Sequence, residues 1–502
     1  MTIELQVIGS ALRAVCEEMG AALVRAAFSA NIKERRDCSA ALFDPDGRMI
    51  AQAEHIPVHL GAMPEAVAAV RGLDPQPDET FILNDPYAGG THLPDITLVS
   101  RTTLGFAVTR AHHADVGGVS PGSLPADSRT LEDEGVVIPP TRLDEQFLSG
   151  FLARVRNPDE RRGDLRAQLA AHTLAARRVD ELCERKGRDR VAAAMNELYS
   201  YSERRIRAAI EALPDGRYEA GDYVEAAEGE LEIRAAVTIG GSDIHVDFAG
   251  SAPQHGGNLN CPLAVTRSAT YFVVRCLTDP DVPASGGAFA PVKVDAPPGS
   301  LVDARPPAAV AAGNVETSCR IADVVFAAFG EATAVPAQGQ GTMNNLTLGN
   351  ERFAYYETIG GGQGACPDGD GPSAVHVTMS NTLNTPVEAL ELAYPLRVRR
   401  YAVRLNSGGG GRRRGGEGVV REIEALEACR YSLVTERRGR NPRGRAGGLD
   451  GALGRNLLNG RELPAKAAGE LAPGDVLRIE TPGGGGLLEE VGEIPAVPPE
   501  AR

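Results

Sequence analysis

One stretch decides how the first third of this 502-residue chain reads: His92-Leu93-Pro94-Asp95-Ile96-Thr97-Leu98-Val99-Ser100, then Arg101-Thr102-Thr103-Leu104, then Gly105-Phe106-Ala107-Val108-Thr109-Arg110-Ala111-His112-His113. Residues 96–100 and 105–109 are short runs rich in apolar and β-branched residues, and both read as strands. Joined as a hairpin, they return the second histidine segment to the level of the first. His92, Asp95 and either His112 or His113 then converge on one point. Pro94 makes His92-x-x-Asp95 a loop rather than one face of a helix, and the spacing is not that of a zincin.

Working outward, the loop before the hairpin is Asn84-Asp85-Pro86-Tyr87-Ala88-Gly89-Gly90-Thr91, and the segment after it is Ala114-Asp115-Val116-Gly117-Gly118. Five of the nine histidines fall between residues 55 and 113. Imidazole and carboxylate at short spacing form a mixed nitrogen and oxygen ligand set, which suits Mn, Zn or Fe and does not select soft metals. The competing reading is a set of hydrogen-bonded histidines in turns. Glu34 is a further candidate ligand, although Lys33-Glu34-Arg35-Arg36-Asp37 reads better, on the residues alone, as a solvated charge run. His55 and His59 flank Ile56-Pro57-Val58 and are candidates for orienting the ligands.

The hairpin has a neighbour. Residues 40–43 and 48–51 flank Asp44-Pro45-Asp46-Gly47, a second hairpin with definite turn chemistry. Before it, Ile8, Leu12, Val15, Met19, Leu23 and Ala27 recur at helical spacing, so the chain opens with an amphipathic helix. Residues 158–213 predict two long helices broken at Gly187. Strands follow at 217–224, 231–239 and 244–248, then buried helices at 266–277 and 320–329. The last hundred residues read as strands between glycine clusters. The fold class is α+β, a large mixed multi-layer protein. Its expected organisation is an α+β metal-site region over 1–150, a helical segment over 151–215, an α/β core over 216–400, a β-rich part over 401–490 and a flexible tail over 491–502.

Composition narrows the function classes. Fifty-two Lys and Arg stand against 67 Asp and Glu, a net charge of −15. That balance disfavours polyanion and anionic-membrane binding, which need a basic face. No apolar run reaches the roughly 20 residues a membrane-spanning helix needs. The eight cysteines include no C-x-x-C pair and read as reduced thiols, so the expectation is a cytoplasmic protein. Only four lysines occur, none in a P-loop context, so any ATP chemistry is expected on another chain. Among the later motifs, Gly360-Gly361-Gly362-Gln363-Gly364 suggests an anion-binding nest. Arg412-Arg413-Arg414 suits an acidic partner surface as well as a phosphate.

Several strings resemble the hydantoinase B/oxoprolinase family: residues 31–42, His55-Ile56-Pro57-Val58-His59-Leu60-Gly61, residues 84–95 and 111–118, and Glu134-Gly135 with Ile138-Pro139-Pro140. The similarity continues through Asn258-Leu259-Asn260-Cys261-Pro262, Gly313-Asn314-Val315-Glu316-Thr317-Ser318 and Gln338-Gly339-Gln340-Gly341-Thr342, and on to residues 480–486. The resemblance implies a B-type subunit of an ATP-dependent cyclic amidase. Its partner is an A-type subunit of actin-like ATPase fold, which phosphorylates the carbonyl oxygen of N-methylhydantoin or 5-oxoproline. It also implies a hetero-oligomer containing a B–B dimer, with ATP and Mg held by the partner.

Carried over residue by residue, the resemblance gives a metal ligand set of Glu34, His92, Asp95 and His112. A water activated there attacks the phosphorylated lactam or imide, with His113 or Asp115 taking its proton. The alternatives are a subunit of an ATP-dependent ketone carboxylase, of acetone or acetophenone type, and a non-catalytic scaffold for the ATPase subunit.

Overall fold

The computed structural model of the chain describes residues 1–53, 56–77 and 79–488. His55 and the segment 489–502 lie outside the described residues.

The chain opens with helix α1 (Ile3–Ala26), capped where Thr2 Oγ1 accepts from Leu5 N–H at 3.3 Å. Its buried stripe runs Leu5, Ile8, Leu12, Val15, Met19 and Leu23, the i, i+3/i+4 positions that a helix presents to one side. A one-turn helix α2 (Ala30–Lys33) follows, and then strands β1 (Cys38–Phe43) and β2 (Met49–Ala53). They pair antiparallel around the Asp44–Gly47 turn, with Gly47 at φ 81°. Helix α3 (Met63–Arg71), β3 (Thr80–Leu83), β4 (Asp95–Thr102) and β5 (Gly105–His112) come next. Helix α4 (Leu131–Glu134), β6 (Thr141–Arg142) and α5 (Glu145–Leu152) complete the region. The six strands form one sheet in the order β2-β1-β5-β4-β3-β6.

The two predicted long helices are α6 (Pro158–Lys186) and α7 (Arg188–Glu211), with Gly187 at φ 87° between them. Alternation divides the sheet's side chains between its two faces. Ala40, Leu42, Ala107 and Ala111 pack under α1, α6 and α7, whereas Ala41, Phe43, Val99 and Val108 pack under α3. Each large aliphatic side chain withdrawn from water here contributes about 1.5–3 kcal/mol.

A second sheet has the order β10-β9-β8-β7, from β7 (Gly216–Ala226), β8 (Gly229–Gly240), β9 (Asp243–Asp247) and β10 (Val292–Asp295). It shares a core with the buried helices α8 (Leu263–Leu277) and α9 (Ser318–Phe329). Residues Gly313–Thr317 wind as one π turn ahead of α9. The third sheet joins β11 (Asn345–Gly349) and β12 (Ala354–Glu357) to later strands. After α10 (Val387–Ala393) come β13 (Leu396–Arg404), β14 (Gly418–Ala425), β15 (Cys429–Val434), β16 (Arg455–Leu458), β17 (Arg461–Leu463), β18 (Lys466–Leu471) and β19 (Val476–Glu480). The third sheet is β12-β11-β15-β18 and the fourth β13-β14-β19-β16-β17, and the two share an apolar core. Strands from both sides of residue 400 therefore pair in one sheet, across the boundary expected there. The glycine clusters pack main chain against main chain. A Cβ on Gly484 would lie 2.0 Å from the Gln363 carbonyl oxygen, and one on Gly362 2.0 Å from that of Gly416. Among the described residues, no helix is long and apolar enough to cross a membrane.

Candidate metal centre

The hairpin forms as the sequence predicts. Strands β4 and β5 pair from Thr102 opposite Gly105 down to Asp95 opposite His112. That register sets the site, because residues directly opposite on an antiparallel pair share a face. Asp95 is the first residue of β4 and His112 the last of β5. His92 enters from the preceding loop, which Asn84 fastens: its Nδ2 donates to the Leu93 and Val136 carbonyls, and its Oδ1 accepts from Ile138 N–H. Gly90 lets that loop close, since a Cβ there would stand 2.2 Å from the Asn84 carbonyl oxygen.

Three ligand-type atoms meet. His92 Nε2 lies 3.1 Å and His112 Nδ1 3.1 Å from Asp95 Oδ1, and the two nitrogens are 3.2 Å apart. All three side chains are buried. Thr91 Oγ1 donates to Asp95 Oδ2 at 2.6 Å, and His59 Nε2 lies 3.6 Å from that oxygen. His59 sits at the end of the turn Pro57–His59, which docks through Gly61 N–H on Ser268 Oγ, and its Nδ1 is 2.9 Å from Ser39 Oγ.

The electrostatics are those of a site built for a cation. Burial alone would raise Asp95, yet the His92 charge and the imidazoles of His112, His59 and His92 around it hold it well below the usual carboxylate range. Burial works against a charge on His92, but Asp95 beside it lifts its pKa above the ordinary value. Burial pushes His112 down to about 4. Asp37, at the entry to β1, is pushed up to about 6 by burial and by Asp95, against the pull of His59, Arg35 and His92.

His92, Asp95 and His112 pass the test of fitting a metal ion. Their ligand atoms form a triangle with edges of 3.1, 3.1 and 3.2 Å. Donors sharing one ion at roughly 2.0–2.2 Å stand about 2.8–3.1 Å apart in an octahedral site and about 3.3–3.6 Å apart in a tetrahedral one, so the triangle lies at the octahedral end of that range. His59 Nε2 is buried and, at 3.6 Å from Asp95 Oδ2, has no partner within hydrogen-bond distance among the described residues, so the site carries spare donor capacity.

Of the residues expected from sequence, the structure brings His92, Asp95 and His112 together and leaves three out. His113 follows His112 and so faces the opposite side of the sheet, where its Nε2 is 3.0 Å from Gln168 Oε1 of α6. Asp115 is occupied as a loop anchor. It accepts from Gly117, Gly122 and Arg156 N–H and pairs with the Arg156 guanidinium at 3.1 Å. Glu34 ends α2, half-buried, and is not one of the converging groups. The nearby carboxylate is instead Asp37, turned inward because Arg36 takes a left-handed backbone conformation at φ 55°. Such strain in a residue with a side chain persists where the surrounding structure imposes it, often at functional sites. Sequence reasoning also passed over Tyr356, whose ring stacks on His112, and Arg35. The Gly360–Gly364 segment packs into the glycine-rich layers, where a Cβ on Gly361 would lie 2.0 Å from Gln340 Oε1. A cavity of about 790 Å³ opens between α1, the β2 edge and Pro280–Ala284, and none of the three clustered residues lines it.

Fold and site together define an α+β protein with a buried two-histidine, one-carboxylate cluster at the end of a sheet hairpin. Residues 1–488 match the hydantoinase B/oxoprolinase family, and the chain belongs to it. It is 37% identical over 531 residues to 5-oxoprolinase 1 of Arabidopsis thaliana, covering 97% of this chain but 42% of that protein. Among solved structures it is similar to the ATP-dependent caprolactamase of Pseudomonas jessenii, with TM-score 0.90 and 28% identity over 97% of this chain and 91% of that one. An acetone carboxylase shares the fold, at TM-score 0.84 and 17% identity over 97% of this chain and 76% of that one.

Proposed function

We propose that this chain is the B-type subunit of an ATP-dependent cyclic amidase, opening a lactam or imide ring that a partner ATPase chain has phosphorylated. The observation that carries the reading is the His92–Asp95–His112 triangle in a chain of this family. Its likeness to a caprolactamase supports a cyclic amide as the substrate. N-methylhydantoin and 5-oxoproline are the substrates to test first.

His92, Asp95 and His112 would hold a divalent ion, Mn, Zn or Fe. When bound, such an ion acidifies water and stabilises the oxyanion that develops at a carbonyl. The chain's own groups do the rest. Asp95, kept ionised, fixes both imidazoles. Asp37 and His59, beside Asp95, take over the proton-accepting role assigned from sequence to His113 and Asp115. Burial and the Asp95 charge raise the Asp37 carboxyl above the ordinary carboxylate range, the direction that makes it a better proton acceptor. Water adds to the activated carbon and the ring C–N bond breaks, the amine leaving protonated. The acyl phosphate that remains is hydrolysed to carboxylate and phosphate. The buried surroundings keep bulk water out.

The test is to co-express the chain with an actin-like ATPase partner and assay hydantoins, 5-oxoproline and ketones for substrate-dependent ATP hydrolysis, with elemental analysis of the same preparation. Stoichiometric metal and ring opening are expected. Turnover that needs bicarbonate and a ketone would replace this reading with the carboxylase one.

A further inference from the structure

Among the described residues, six arginines are completely buried: Arg35, Arg110, Arg161, Arg320, Arg421 and Arg437. A buried guanidinium ordinarily needs a carboxylate, since desolvating an unpaired charge is costly. Four of the six have one. Arg161 pairs with Glu160 and Asp164, Arg320 and Arg437 with Asp222 and Asp323, and Arg421 with Glu357. Among the described residues, Arg35 and Arg110 have no carboxylate within ion-pair distance. Both belong to the metal centre: Arg110 stands two residues before His112 on the same strand, and Arg35 two before Asp37.

The two differ in how they are tied. Arg110 is tied at two nitrogens, with Nε on Thr97 Oγ1 at 2.8 Å and Nη2 on the Gly89 carbonyl at 2.7 Å, which leaves Nη1 alone without a partner among the described residues. Arg35 is clamped at one nitrogen only. Its Nη2 donates to the Thr358 hydroxyl and carbonyl and to Thr382 Oγ1 at 3.1 Å. The clamp is itself fixed. Thr358 and Thr382 hydroxyls are 2.6 Å apart, Thr382 Oγ1 is 3.3 Å from His376 Nε2, and His376 Nδ1 is 2.9 Å from Ser380 Oγ. Among the described residues, the Nε and Nη1 hydrogens of Arg35 are left buried without a partner. Its Cζ lies 5.7 Å from the centroid of the Tyr356 ring, and that ring stacks on His112 at 4.4 Å. A cation is thus held rigidly beside the metal centre with its donors uncommitted.

We infer that Arg35 is the anion receptor of this site and that its free N–H groups take oxygens of the phosphoryl group on the activated substrate. A guanidinium suits this task because its donors are planar and permanently charged. The inference rests on the reading above, in which the substrate arrives phosphorylated.

The experiment uses inorganic phosphate as probe on the full chain, stripped of metal by chelation so that no ion competes, with binding followed by 31P NMR. Wild type is expected to bind phosphate. Arg35→Gln should weaken that binding at least tenfold, Arg35→Lys should weaken it less, and Arg110→Gln should leave it within about threefold if folded. Near-UV circular dichroism and reloading with metal to the wild-type content verify the fold of each variant. Unchanged phosphate binding in a folded Arg35→Gln or Arg35→Lys protein overturns the inference. So does Arg35-dependent binding of acetate in place of phosphate, which would make the site a carboxylate receptor. Arg35-dependent phosphate binding without metal or ring opening would leave the receptor standing and remove the amidase reading. Ring opening with phosphate binding indifferent to Arg35 would do the reverse.

Discussion

The imidazole of His112 lies almost flat on the phenol ring of Tyr356, 4.4 Å between centroids and 16° between planes. The two residues come from different sheets, so the contact joins the N-terminal sheet to the third one at the metal centre. Tyr356 Oη donates to Asn345 Oδ1 at 2.8 Å, and Asn345 Nδ2 reaches Glu316 Oε1 of the π turn at 3.4 Å. The ring that fixes His112 is therefore itself fixed. Tyr356→Phe should keep the stack and full metal content. Tyr356→Leu should lower metal affinity by roughly 10–100-fold, the usual effect of removing a group that orients a ligand. Competition against a chromogenic chelator measures both.

Ligand assignment is tested by composition. His92→Ala, Asp95→Ala and His112→Ala should each abolish stoichiometric metal, because three donors meet at one point. Glu34→Gln and His113→Gln should retain it, since neither belongs to the cluster. Asp37→Asn should keep the metal but slow ring opening more than ATP hydrolysis by the complex. Elemental analysis with both assays separates these outcomes; metal lost on replacing Glu34 alone would restore it to the ligand set.

Much of this was legible in the sequence, and where it was not the reason is physical. The β4–β5 hairpin was readable because alternation and a short connection are local properties. Even the choice of His112 over His113 was latent. A two-residue turn at Thr103-Leu104 sets 102 opposite 105, and counting back sets 95 opposite 112. Asp37 was hidden because its inward aim depends on one left-handed residue, Arg36, in what reads as a solvated charge run. Arg35 and Tyr356 were hidden because their partners lie more than 200 residues away. The occupation of Asp115 by Arg156 likewise depends on how a glycine loop folds back.

Acid stability should depend on His172. Burial pushes its pKa down to about 3, and its nitrogens lie 2.6 and 2.9 Å from the hydroxyls of Ser100 and Thr109. The unfolded chain takes up this proton near pH 6.5 and the folded one only near pH 3. Between those values the unfolded state binds more protons, so stability falls as pH falls, by up to about 1.4 kcal/mol per pH unit. The native preference for wild type over His172→Gln should be largest above pH 6.5 and shrink toward pH 3. Urea titrations of the two proteins across that range measure it.

Asp164 holds the entry to the site's scaffold. Its Oδ1 accepts from Phe28 and Ser29 N–H at 2.8 and 3.0 Å, tying the end of α1 to α6, and its Oδ2 lies 3.5 Å from the buried Arg161 guanidinium. Asp164→Ala should cost about 3–5 kcal/mol, because it strands a buried cation together with two amides. Asp164→Asn should cost less, since its carbonyl oxygen still accepts from the amides. Chemical denaturation gives both values; equal losses would show that the charge facing Arg161 is the whole cost, and a neutral Asp164→Asn would show that Arg161 is satisfied by Glu160 alone.

The last prediction concerns the turn that sets the register. Gly105 begins β5 at φ 108°, and a Cβ there would stand 2.0 Å from the Phe43 carbonyl oxygen at the end of β1. Gly105→Ala therefore meets both a disfavoured conformation and main chain that cannot move without breaking the β1–β5 ladder. The hairpin must shift, and a one-residue slip exchanges the faces of every side chain on the strand. His112 would then point toward α6, where His113 now sits, and Asp95 would lose its partner. The expected result is joint loss of several kcal/mol of stability and of metal. Val108→Ala, in the same strand but leaving its backbone alone, should lose only stability, by about 1–3 kcal/mol. Metal retained in a folded Gly105→Ala protein would mean that the site does not depend on this register.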